Sequence, residues 1–144
     1  MADTMLVGVD GSESSRRAAD FAAARARAGS DRLVVAYVIE WSPYTFNTPE
    51  ENEVRHKRRE EEIERAQTQV LDPLIAELRA TGIEVEGVVR HGHAAEVLGG
   101  LARELGVAQI FIGRVGHSRI AALLFGSVTA TLVQISPVPV TVVP

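Results

Sequence analysis

The chain of 144 residues has no cysteine, and of its fifteen basic side chains only Lys57 is a lysine. Without cysteine there are no disulfides, no thiolate zinc sites and no cysteine nucleophile. The single lysine follows His56 and precedes Arg58, so no Gly-Lys-Ser/Thr phosphate loop exists and that class of NTPase is excluded. A Schiff base would have only Lys57 to use. Basic excess is missing too: the net charge is −4, which argues against a nucleic-acid partner. Long apolar runs are also lacking. The uncharged stretch from Ile120 to Pro144 is interrupted by Gly126, Ser127, Thr129, Thr131, Gln134, Ser136 and prolines, so the protein is not expected to be embedded in a membrane. Met1 to Leu6 carries Asp3 and has no basic, signal-like start, which leads to the expectation of a cytoplasmic protein.

The length predicts one domain over residues 1–144, and no repeat or composition break divides it. Met5–Asp10, Leu33–Ile39 and Ala108–Gly113 are short apolar runs that read as strands buried on both faces. Ile83–Arg90 alternates in part and reads as an edge strand, and Val138–Val143 as a fifth strand. Between them lie helical segments. Ser12 is a candidate N-cap for a helix marked by Ala18, Ala19, Phe21, Ala22 and Ala26 and ending at Gly29. Glu51–Ala80 is a long charged helix with Ile63, Ala66, Val70, Leu74 and Leu78 as its apolar stripe. Pro73 should kink or restart it, with Asp72 as a cap. Ala94–Leu105 is closed by Gly106, and Gly126-Ser127 opens a last helix to Ile135. Alternating buried strands and helices predict an α/β three-layer sandwich: a five-stranded parallel sheet with helices on both faces.

Gly113, Gly116 and Gly126-Ser127 form a G-x2-G-x9-G-S pattern between the end of a strand and the start of a helix. Glycines admit close backbone approach and positive φ. Amides at a helix start have no helical partner, and the dipole there favours negative charge. The pattern therefore points to an anion site, with the Ser127 hydroxyl as a further donor and Arg114 nearby. With strand order 3-2-1-4-5, Asp10 and Gly113 end the two strands that flank the switch point where ligands bind in open sheets.

These segments resemble the universal stress protein family. The resemblance rests on Leu-Val-Gly-Val-Asp10-Gly-Ser, Tyr-Val38-Ile, His-Gly92-His-Ala-Ala-Glu96-Val, Ile112-Gly113-Arg-Val-Gly116, Phe-Gly126-Ser127-Val128 and the final Ser-Pro-Val-Pro-Val-Thr-Val-Val. The glycine pattern is that of the family's ATP-binding branch. The resemblance implies an adenine nucleotide alpha hydrolase-like fold that holds ATP with Mg²⁺ or Mn²⁺. Val9 and Asp10 would contact adenosine, the Val38 backbone would meet adenine, and Ile112 would line the same wall. Gly113, Gly116, Gly126, Ser127 and Val128 would hold ribose and phosphates. It also implies a homodimer through Val138–Val143. Pro139, which lacks an N–H, independently suggests an edge there that a partner strand would cover.

Three functions follow as expectations. The first is a regulatory ATP-binding protein of the stress response that acts through its dimer or an unidentified partner. The second is a slow ATPase or adenylyl-transfer enzyme, for which no arginine finger or water-orienting residue is evident. The third is a nucleotide-free module regulating a membrane transporter. No residue stands out as catalytic. His91, His93 and Glu96 are too sparse for a metal site, and Gly92 between the histidines reads as a turn. The basic run Arg55–Arg59 is balanced by Glu60–Glu62 and reads as a solvated helix face. Trp41, Tyr44 and Phe46 would pack over the sheet end.

Overall fold

The computed structural model describes residues 2–40, 49–116 and 126–144. The five strands β1 (Thr4–Val9), β2 (Arg32–Glu40), β3 (Glu84–Gly92), β4 (Gln109–Gly113) and β5 (Val140–Val143) form one parallel sheet in the order β3-β2-β1-β4-β5. The helices are α1 (Glu13–Gly29), α2 (Pro49–Arg65), α3 (Asp72–Arg79), α4 (Ala94–Leu105) and α5 (Ser127–Ile135), and a π-helical turn, Ala66–Leu71, joins α2 to α3. The aromatic positions Trp41, Tyr44 and Phe46, and the loop residues His117, Ser118 and Arg119, lie outside the described residues.

Strand alternation divides the core into two layers. Val7, Val9, Leu33, Val35, Val85 and Phe111 pack with α1 and α3 on one face. Leu6, Val34, Ala36, Ile110 and Ile112 pack with α4 and α5 on the other. Both faces are covered, so the middles of the inner strands carry apolar residues at successive positions, as in Leu33–Ala36 and Ile110–Ile112. On α1 the buried stripe is Ser14, Ser15, Ala18, Ala19, Ala22, Ala23 and Ala26, small side chains that seat the helix close to the sheet. Phe21 instead lies at the rim, 39% exposed, tilted against Phe111.

Ser12 caps α1 as expected, its hydroxyl accepting from Ser15 N at 3.2 Å. Ser12→Ala is expected to cost about 1 kcal/mol of stability, measurable as a lower urea midpoint with unchanged m-value. At its other end α1 stops at Gly29 as expected, and Ser30, the residue after it, takes the left-handed conformation at φ 56°.

Three expectations are corrected. Asp72 is not a cap: it has helical φ −58° and ψ −47°, and its carboxylate accepts from Gln67 Nε2 at 2.6 Å. Pro73 cannot donate a helical hydrogen bond, and the wide turn ahead of it absorbs the defect, with the Asp72 amide bonding to Gln67 O. That extra residue also rotates the apolar stripe. Ala66, Leu74 and Leu78 are buried as expected, but so are Leu71 and Ile75, whereas Ile63 is 38% exposed. Paired β5 begins at Val140 rather than Val138. Pro139 has no N–H, and Val138 turns back onto the Ser136 hydroxyl, so Pro139 contributes only its carbonyl, which accepts from Ile110 N.

Among the described residues, no helix is long and apolar enough to cross a membrane.

Candidate functional site

α1 follows β1 onto one face of the sheet, and α5 follows β4 onto the other, so the chain diverges between these two adjacent strands. A crevice of about 400 Å³ opens at their carboxyl ends, a volume within the usual range for small-molecule sites. All nine candidate residues line it: Val9, Asp10, Val38, Ile112, Gly113, Gly116, Gly126, Ser127 and Val128. Sequence reasoning missed Gly8, Ser15, Ala36, Glu40, Ala94, Leu98, Val115 and Thr129, which line it too. Strand period two could have added Gly8 to Asp10, and Ala36 and Glu40 to Val38. Ala94 and Leu98 arrive from α4, and nothing local announces them.

One end of the crevice is built largely from backbone. Gly126 N donates to Arg114 O at 2.8 Å, and Thr129 Oγ1 donates to Gly113 O at 2.7 Å, clamping the first turn of α5 to the end of β4. The first helical bond is made by Ala130 N to Gly126 O. The amides of Ser127, Val128 and Thr129 therefore precede the helical ladder, and Gly126 has no side chain to cap them. Ser127 is exposed at this opening.

The glycines serve close packing rather than unusual backbone angles, since none of the three has positive φ. A Cβ on Gly113 would stand 2.5 Å from Ser14 Oγ and 2.9 Å from the Ser14 backbone carbon. On Gly116 it would stand 2.7 Å from Asp10 Oδ2, and on Gly126 3.3 Å from Gly116 N. The Asp10 carboxylate is oriented by Ser12 N at 2.9 Å, and Asp10 N donates to Ser15 Oγ.

The other end is apolar, formed by Ala36, Val38 and Leu98. β1 ends opposite Tyr37, so Val38, Ile39 and Glu40 run beyond it and pair only with β3. The backbone edge of β2 that faces β1 therefore has no strand partner past Tyr37. Behind the sheet, burial raises the Tyr37 phenol pKa, and the Asp10 and Glu62 carboxylates add to the shift. Burial lowers the His91 pKa, reinforced by Arg59 and opposed by Glu62. Among the described residues, His91 Nε2 is buried without a hydrogen-bond partner. His93, by contrast, stands at the start of α4, and Gly92 between the histidines has φ 142°.

The model of the universal stress protein family matches residues 1–144. Universal stress protein YxiE of Bacillus subtilis is 27% identical over 152 residues, covering 99% of both chains. A universal stress protein of Mycobacterium tuberculosis is 30% identical over 155 residues, and the match covers 97% of this chain but 47% of that longer protein. The solved structure of universal stress protein UspA from Lactobacillus plantarum shares the fold, with TM-score 0.87 and 20% identity over 99% of this chain and 97% of that one. A universal stress protein solved in complex with cAMP has TM-score 0.68 and 28% identity, covering 99% of this chain and 96% of its own.

Proposed function

Because the chain belongs to the universal stress protein family, we propose that its central crevice binds an adenine nucleotide, ATP, and that occupancy regulates the protein's association with a second copy or another partner. The observation that carries this reading is the union, in one crevice, of an apolar slot and the uncapped first turn of α5. A planar base suits the slot, and phosphate oxygens suit the amides and the Ser127 hydroxyl. The relative solved with cAMP supports an adenine ligand.

The described residues contain no group of three His, Cys, Asp or Glu that would hold a metal ion. We therefore assign Mg²⁺ or Mn²⁺ to the phosphates, with Asp10 as the carboxylate beside Gly116. Such an ion would offset phosphate charge that no lysine is there to neutralise.

The coupling to association has a short path. Arg114 N, next to Gly113, donates to Val143 O of β5 at 2.8 Å. β5 is the outermost strand, Val140 and Val142 are only partly buried, and Val133 and Ile135 on α5 are exposed. A homodimer through β5 would pair that edge and cover those side chains.

Nucleotide extracted from the purified, denatured protein is expected to be ATP. ADP or AMP alone would point to turnover at the same site. An empty extract, with no thermal shift in millimolar ATP and Mg²⁺, would refute the binding reading.

A further inference from the structure

We propose that Glu40 reads the base, selecting a purine that carries an amino group over one that carries a carbonyl oxygen at the same position. This rests on the nucleotide reading of the crevice and adds the source of its selectivity.

The placement follows from strand geometry. Ala36, Val38 and Glu40 alternate along one face of β2, and all three line the crevice. The backbone-rich end lies at β4 and α5, across β1. A ligand with its anion at α5 must pass its apolar body along Ala36, Val38 and Leu98, and its far end then arrives at Glu40.

The Glu40 carboxylate is held in place there. One oxygen, Oε1, accepts from Ala94 N at 3.1 Å, the first amide of α4. The positive end of the helix dipole favours an anionic group at this position. The other oxygen, Oε2, lies 3.9 Å from His93 Nδ1, outside hydrogen-bond distance of that ring. An ionised carboxylate can only accept. It takes an N–H of an exocyclic amine and repels a carbonyl oxygen in the same place. Because the Ala94 amide engages one oxygen, a single amine fits better than the two-donor fork of guanine, which calls for both oxygens. The chemistry therefore favours a 6-aminopurine over a 6-oxopurine.

Titration of nucleotide-stripped protein with ATP, ITP and GTP tests this. Wild type is expected to bind ATP about tenfold more tightly than ITP, the net worth of a single hydrogen bond to an exposed carboxylate. Glu40→Gln keeps an oxygen for the Ala94 amide and adds a donor. The melting temperature should hold while the ATP-to-ITP ratio falls toward one. An unchanged ratio in Glu40→Gln would overturn the assignment, and so would GTP binding more tightly than ATP. Equal wild-type affinities for ATP and ITP would do the same while leaving nucleotide binding intact. If none of the three binds wild type, the nucleotide reading itself fails and takes this assignment with it.

Discussion

Gly116→Val is expected to abolish ATP binding, a loss of at least about 100-fold or ~2.8 kcal/mol, with an unchanged far-UV circular dichroism spectrum. The new Cβ would stand 2.7 Å from Asp10 Oδ2, and its methyl groups would enter the crevice that both residues line. Gly116 belongs to no helix or strand, so the sheet has little stake in it. Gly126→Val should act in the same direction, with a small stability cost from a poor N-cap residue. Gly113→Val is a different experiment: its Cβ would meet the backbone of Ser14 at 2.9 Å, where nothing flexible can yield. That variant should lose stability as well as binding. Calorimetric titration checks the first pair, and wild-type affinity in both would remove the role given to these glycines.

The largest stability effect is expected from Phe111→Ala, about 3–5 kcal/mol. Phe111 is fully buried on β4, opposite Val7 on one side and Thr141 on the other, with its ring 5.9 Å from that of Phe21. Truncation leaves a cavity between the sheet and α1. For a domain of this size the melting temperature should drop by roughly 10–15 °C. Phe111 faces α1 and its neighbour Ile112 faces the crevice, so ATP affinity measured well below the transition should barely move. Urea unfolding gives the number. A loss under about 1.5 kcal/mol would mean that Phe21, already at the rim, swings in to fill the space.

These two residues show how unequally the molecule was legible from its residues. Apolar strands alternating with helices force a parallel sheet covered on both sides, and short right-handed connections leave few strand orders. The parallel sheet follows from that reasoning, and the order β3-β2-β1-β4-β5 is one of those few, the one the fold adopts. Of the candidate site residues, Asp10, Gly113, Gly116, Gly126 and Ser127 were legible from pattern and connectivity, whereas Val9, Val38, Ile112 and Val128 came only from the family resemblance. Asp10 and Gly113 end strands that are neighbours in that order, and Gly126-Ser127 opens the helix that returns beside them. What local pattern missed, it missed for physical causes. Pro73 signals a defect, but whether the chain breaks or widens depends on whether Leu71 and Ile75 gain a place in the core by rotating the helix. Tertiary packing chose the wide turn and turned Ile63 outward.

The glycines show the same division. Composition marks where the backbone must come close, but only the assembled layers show that Gly113 yields to Ser14 and Gly116 to Asp10, residues about a hundred positions away. Glu40 was silent in the sequence because a lone carboxylate after a strand looks like any solvated one. Its meaning comes from the Ala94 amide, brought from another element by the fold. Sequence alone determined which layers this protein builds and where its loops converge, because period and chain connectivity are local properties. The tertiary structure decided which side chains meet at that convergence, because contacts between distant segments exist only once the layers have packed.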